Sequence, residues 1–193
     1  MAQRPTTETS HAIPNSTLIK ELKLLKHPEG GYFAETDRQV DEIPSPFANG
    51  ASRSLATTIY YLLTPHQPNG VFHMNKSVTM HVLHQGRAEY TLITPGSPPR
   101  VEKQIMGFNI LAGEVLQLLV PSGVWKMSRL LPADISAPDP ERVGCLITEV
   151  VFPGFAWQDH GFLTKEGLDE LYGDGPEKEQ WVPYVKTKTD QAS

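Results

Sequence analysis

Two histidines, His73 and His81, lie in the strand-forming stretch GVFHMNKSVTMHVLHQGRAEYTLI at residues 70–93. A neutral imidazole, with an ordinary pKa of about 6.5, can take a proton from a substrate when a partner orients it. His73 and His81 are therefore the candidate catalytic residues. The alternative for each is a structural histidine, which on a buried strand still needs hydrogen-bond partners. A second stretch, GEVLQLLVPSGVWKMSRL at 113–130, supplies Gln117, Trp125 and Lys126. An amide among leucines could orient a carbonyl or hydroxyl, an indole could floor a cavity, and an ammonium could neutralise a carboxylate or enolate. Each also has a plainer reading, as an interior network residue, a core aromatic and a solvated lysine. His27, Glu29, Tyr32 and Glu35 surround Gly30–Gly31, which either closes a barrel mouth or makes only a turn. Asp159 and His160, after Phe155-Ala156-Trp157, could hydrogen-bond across a rim or cap a loop. The candidate substrate-binding set is thus His27, Glu29, Tyr32, Gln117, Trp125, Lys126 and Asp159.

A metal site needs three or more converging His or carboxylate side chains. His73 and His81 supply two, and Glu89, Glu114 or His84 add to them only if the fold permits. No local motif completes the set, so neither a metal nor another cofactor is expected. The single cysteine, Cys145, sits in GCLITEVVF and reads as a small buried apolar residue, with a nucleophilic role as the alternative.

Strand alternation must position these groups. Short strands are expected at 57–63, 71–74, 78–83, 87–94, 101–106, 114–120, 124–131 and 144–151, with a possible edge strand from Tyr32. Turn signals separate most of them: PHQPNG, Gln85–Gly86, PGSPP and Pro121-Ser122-Gly123. Val71 and His73 share one face, Thr79, His81 and Leu83 another, and Val124, Lys126 and Ser128 a third. This rhythm favours an all-β barrel or sandwich over βαβ units. A helix over 17–25, capped by Ser16–Thr17 or Asn15, precedes the strands, and a second begins at Thr164. Residues 41–53 and 132–143 read as loops.

The chain of 193 residues fits one domain over 17–172, after a polar, disordered 1–16 and before a polar tail at 173–193 anchored by Trp181 and Tyr184. A formal charge of −5 argues against nucleic acid or anionic membrane as the partner. No apolar signal-peptide region or membrane-spanning run is present, which points to a cytoplasmic protein.

Five blocks in order resemble the DUF985 (cupin_5) branch of the cupin superfamily: HPEGGYFAET, TTIYYLLTP, the FH at 72–73, GEVLQLLVPSGVWK and EVVFPGFAWQDH. The resemblance runs from about Leu22 to Tyr172. It implies a double-stranded β-helix (cupin jelly-roll barrel) with short flanking helices, a small-molecule ligand in the barrel cavity, and a homodimer. Many members carry Arg where this chain has Met74, and an Asp-Glu-x-Trp-His block where it has Ser77-Val78-Thr79-Met80-His81. Trp125–Lys126 stands where the second cupin motif would place a metal-binding histidine. The resemblance therefore implies a broken metal site.

Three functions follow. The first is a metal-independent isomerase or epimerase acting on a small oxygenated metabolite or sugar derivative by histidine-mediated proton transfer. The second is a non-catalytic small-molecule-binding cupin, and the third a metal-dependent oxygenase or isomerase.

Overall fold

The computed structural model describes residues 12–186. In chain order its strands are β1 (Leu25–Lys26), β2 (Tyr32–Arg38), β3 (Glu42–Pro44), β4 (Ser52–Ser54), β5 (Thr57–Leu63), β6 (His73–Asn75), β7 (Val78–Gly86), β8 (Ala88–Thr94), β9 (Arg100–Met106), β10 (Gln117–Val120), β11 (Trp125–Arg129), β12 (Cys145–Phe152) and β13 (His160–Phe162). The α-helices are α1 (Asn15–Glu21), α2 (Pro132–Ile135) and α3 (Lys165–Tyr172). One antiparallel sheet runs β1-β2-β5-β12-β7-β10 and the other β13-β6-β11-β8-β9. They form the all-β jelly-roll expected from the sequence, with β3–β4 as a separate hairpin inside the stretch read as a loop.

The barrel interior is layered, and the layering follows from alternation along the strands. At one level Leu63, Leu83, Ala88, Leu130, Cys145 and Ile147 pack into an apolar cluster. Two residues along several of the same strands the inward side chains become polar: His81 on β7, Tyr90 on β8, Ser128 on β11 and Glu149 on β12. Beyond that level, Leu92, Val120 and Val124 close a second apolar cluster. A polar layer is thus held between hydrophobic ones, where every polar atom needs a partner.

The opposite face of β11 carries Met127, which packs with Phe72, Ile93, Leu163, Leu168 and Trp181. Residues 176–184 dock there: the Phe72 amide donates to the Tyr184 carbonyl, and the Phe72 and Trp181 rings meet edge to face at 5.6 Å. Trp181 and Tyr184 therefore anchor this segment, as the sequence suggests; residues 187–193 of the expected tail lie outside the described residues. Thr164 caps α3 by accepting from the Gly167 amide.

Helix α1 begins earlier than the Ser16–Thr17 cap implies and ends at Glu21. Asn15 is buried inside it and uses its side-chain amide to donate to the Pro140 and Val143 carbonyls, tying the helix to the 132–143 segment. Most of the expected disordered segment 1–16 lies outside the described residues. Among the described residues no helix is long and apolar enough to cross a membrane.

Candidate functional site

Glu29, Tyr61, His73, His81, Tyr90, Lys126, Ser128 and Glu149 line a small cavity between the sheets. The space is about 10 Å³, enough for roughly one water molecule. Register explains the convergence. His73 on β6 lies opposite Lys126 on β11, and His81 on β7 lies opposite Glu149 on β12. Ser128 lies opposite Tyr90.

The inner wall is built around a buried ammonium. Lys126 Nζ lies 2.5 Å from Glu149 Oε1, 3.0 Å from His81 Nε2 and 3.2 Å from Thr79 Oγ1. An ammonium has three N–H donors and no acceptor, so all three are engaged. Because Lys126 donates to His81 Nε2, that nitrogen carries a lone pair. The proton sits on Nδ1, which donates to the Tyr90 hydroxyl at 3.2 Å. Burial, then the nearby Lys126 charge, pushes the His81 pKa well below the ordinary value. Tyr61 and Tyr90 stay protonated, since burial raises both phenols well above theirs.

The outer wall is built around a carboxylate. Gly30 and Gly31 adopt φ of +100° and +70°, and a Cβ on Gly30 would stand 2.3 Å from the Asn69 carbonyl oxygen. Only glycine fits this close, left-handed turn. The Glu29 carbonyl accepts from the Val71 amide at 2.7 Å, which sets the carboxylate beside β6. Glu29 Oε1 accepts from His160 Nε2 at 2.7 Å, and Oε2 lies 3.2 Å from His73 Nε2 and 3.5 Å from His27 Nδ1. His27 Nδ1 in turn accepts from the Glu29 amide. Burial works to raise the Glu29 carboxyl, but His73, His27 and His160 together outweigh it and hold it well below the usual range. His73 donates from Nδ1 to the Val71 carbonyl at 2.9 Å. Its pKa falls to about 3, chiefly through burial, with Glu29 opposing.

The structure thus brings together His73, His81, Glu29 and Lys126, with His27 just behind Glu29. It places other sequence candidates elsewhere. Gln117 is exposed on the edge strand β10 rather than paired in an interior network. Trp125 points away from Lys126, as alternation requires, and packs on the outer cluster beneath α3. Tyr32 packs with Leu18, Leu24, Leu62 and Leu146 on the far side of the first sheet. Asp159 is buried but forms ion pairs with Arg53 at 2.7 Å and Lys76 at 3.5 Å, outside the cavity. Lys126 neutralises an internal carboxylate, Glu149, rather than standing free.

Sequence reading missed Glu149, Tyr61, Tyr90, Ser128 and Thr79 as site residues. Glu149 had a signal: a carboxylate at the centre of the apolar strand CLITEVVF must be paired if that strand is buried on both faces. Cys145, fully buried and pushed up to about 12 by burial, is a packing residue.

The donors present do not fit a divalent metal. His81 Nε2 and Glu149 are committed to the Lys126 ammonium, and the imidazoles around Glu29 each address that carboxylate. Among the described residues, no group of three or more His, Cys, Asp or Glu is arranged to hold an ion.

A jelly-roll barrel with a histidine-lined interior defines the cupin class. Within it, residues 16–163 match the model of the cupin superfamily family DUF985, and the chain belongs to that family. It is 44% identical over 170 residues to the uncharacterized protein YML079W of Saccharomyces cerevisiae, covering 83% of this chain and 80% of the yeast protein. Among solved structures it is similar to a hypothetical protein from Leishmania major (27% identity, TM-score 0.78, 91% of this chain and 100% of that one). Protein SO0799 from Shewanella oneidensis shares the fold (24% identity, TM-score 0.70, 91% and 98% covered).

Proposed function

We propose that this cupin binds a small, uncharged oxygenated metabolite and moves a proton on it, as an isomerase, without a metal. The observation that carries the reading is the setting of His73. The ring uses Nδ1 to donate to the Val71 carbonyl, and its Nε2, at the cavity, lies 3.2 Å from Glu29 Oε2. Only the protonated ring gives both nitrogens an acceptor. A proton between His73 Nε2 and Glu29 Oε2 satisfies both, so the pair can take up and return one at the cavity.

In the proposed reaction His73 Nε2 takes the proton from a carbon next to a substrate carbonyl. The electron pair of the broken C–H bond forms the C=C bond of an enolate, and the carbonyl π pair moves to oxygen. The buried phenols of Tyr61 and Tyr90 face that cavity, and Lys126 supplies positive potential. In a hydroxy-carbonyl substrate the hydroxyl proton passes to that oxygen, and return of the first proton to the former carbonyl carbon completes the isomerisation. An epimerase would need an acid on the opposite face of the substrate. His81 is poorly suited, because Lys126 occupies its lone pair. Isomerisation by one base is therefore favoured over epimerisation.

Charge points to the substrate class. Lys126 and Glu149 offset one another, and Glu29 adds a second carboxylate to the lining. A carboxylate or phosphate would be repelled, whereas a sugar or hydroxy-carbonyl compound would not. A sugar-sized ligand requires the lining to move apart, since the space as it stands holds about one water.

A second reading, ligand binding without turnover, is supported by the engagement of all three Lys126 N–H groups within the protein. The test is direct. Small uncharged aldoses, ketoses and hydroxyketones that raise the melting temperature are incubated with the protein in D₂O, and deuterium at carbon is followed by NMR. Exchange that disappears in His73→Asn supports isomerisation. A bound compound with no exchange leaves the binding reading in its place.

A further inference from the structure

The hydrogen bonds that begin at Lys126 continue across the barrel. An ammonium only donates, so Lys126 fixes His81 as the Nδ1–H tautomer, and that N–H donates to the Tyr90 hydroxyl at 3.2 Å. Tyr90 lies opposite Ser128, whose hydroxyl addresses both the Tyr90 and the Tyr61 phenols. Tyr61 reaches this point from β5 in the other sheet. Its hydroxyl would lie 3.1 Å from a Cβ on Gly31 and 3.2 Å from one on Gly70, beside the turn that carries Glu29. Tyr90, Ser128 and Tyr61 each own one hydroxyl hydrogen, and the contacts Tyr90–Ser128 and Ser128–Tyr61 use only one each. One donor is therefore left over for the cavity.

We infer that this chain is polarised from Lys126 to Tyr61, so that the Tyr61 O–H is the cavity's spare donor and binds the ligand's carbonyl oxygen, with Tyr90 and Ser128 as positioning residues. The ammonium at one end and the Glu29 carboxylate at the Tyr61 end align the hydroxyl dipoles the same way, hydrogens toward Glu29. The cavity then has a donating side, Tyr61, and an accepting side, where His73 Nε2 and Glu29 Oε2 face one another. A hydroxy-carbonyl compound matches both: its carbonyl oxygen accepts from Tyr61 while the neighbouring carbon or hydroxyl meets His73 and Glu29. This deepens the isomerase reading and rests on it for the ligand class. It also separates the two phenols, since Tyr61 touches the oxygen and Tyr90 acts through Ser128. Burial keeps the hydrogen on Tyr61. A hydrogen bond to an enolate oxygen is stronger than one to a neutral carbonyl, so the same contact favours the enolate over the ketone.

Two measurements on the full chain test this. A neutron structure in D₂O reads the polarity without any ligand. Deuterium on Tyr90 Oη aimed at Ser128, and on Tyr61 Oη aimed into the cavity, supports it; deuterium on Tyr61 Oη aimed at Ser128 overturns it. Hydroxyacetone is the binding probe, followed through the ¹³Cζ signal of Tyr61. Tyr61→Phe is expected to bind it about tenfold more weakly, the worth of one hydrogen bond. Ser128→Ala and Tyr90→Phe, which leave the Tyr61 donor in place but unaligned, are expected to lose only about threefold. Ser128→Thr, which restores the hydroxyl, should regain that loss, and a loss that it does not regain removes Ser128 as a positioning residue. Folded Tyr61→Phe that binds as tightly as the wild type, or a Tyr61 signal that ignores hydroxyacetone in the wild type, overturns the assignment of Tyr61. Hydroxyacetone that binds through Tyr61 without deuterium exchange at carbon leaves this assignment standing and removes the isomerase reading.

Discussion

The two walls of the cavity use the same residue types for opposite ends. On the inner wall a carboxylate and a histidine, Glu149 and His81, surround a cation that the chain supplies, and both ring nitrogens of His81 have a partner. On the outer wall a carboxylate and histidines, Glu29 with His73, His27 and His160, meet without a cation. There, His73 Nε2 and Glu29 Oε2 face one another at 3.2 Å, and a shared proton is what satisfies both. The comparison teaches that a histidine beside a carboxylate is not by itself a catalytic pair. What decides is whether its lone pair is already occupied.

The largest expected effect breaks the inner wall. Glu149→Gln leaves the Lys126 ammonium buried without its counter-charge, and removing one partner of a buried pair costs about 3–5 kcal/mol. Urea denaturation should register this as a drop in midpoint with little change in slope. Glu29→Gln, by contrast, should cost only about 1–3 kcal/mol, because the amide oxygen can still accept from His160. Its larger effect should be on exchange at substrate carbon, which should fall by about a hundredfold or more. Equal destabilisation by the two substitutions would erase the distinction between the walls.

The pH dependence sharpens it. Between about 6.5 and about 3 the unfolded chain binds a proton at His73 that the folded chain does not. Stability therefore rises with pH across this window and falls as pH drops through it. The slope reaches about 1.4 kcal/mol per pH unit for one group fully protonated only when unfolded. His81 is depressed in the same direction and adds to the fall. Denaturation of His73→Asn at several pH values should show a shallower decline than the wild type, and an unchanged slope would remove His73 from the account. The smallest effect is expected at Gln117, which is exposed on β10: Gln117→Ala should change stability by less than about 0.5 kcal/mol and leave ligand binding unaltered.

The barrel was legible because its signals are local. Thr57–Leu63 is β-branched and aromatic and ends at a proline-containing turn, and it forms a strand with those bounds. Alternation also gave the shared inward face of Lys126 and Ser128 and of Thr79 and His81. It could not say which face was inside, and here Trp125 and Lys126, adjacent in sequence, go opposite ways. Gln117 shows the same limit: amid leucines it reads as buried, yet β10 is an edge strand whose Gln117 and Leu119 both face solvent. Glu149 was hidden for a different reason. Its partners, His81 and Lys126, are remote in sequence and meet it only through the pairing of β12 with β7 and the closure of the two sheets. The mouth was partly visible in Glu29-Gly30-Gly31, since the glycines signal a tight turn, but not its approach to His73.

The central claim is that His81 serves the resident cation while His73 keeps its lone pair for a proton. The most direct measurement is ¹⁵N NMR of the histidine side chains at pH 7. Both rings should be neutral with the proton on Nδ1, and in Lys126→Met the Nε2 signal of His81 should move while that of His73 keeps its tautomer. A proton on His81 Nε2 in the wild-type protein would contradict the account, because that nitrogen could not then accept from Lys126.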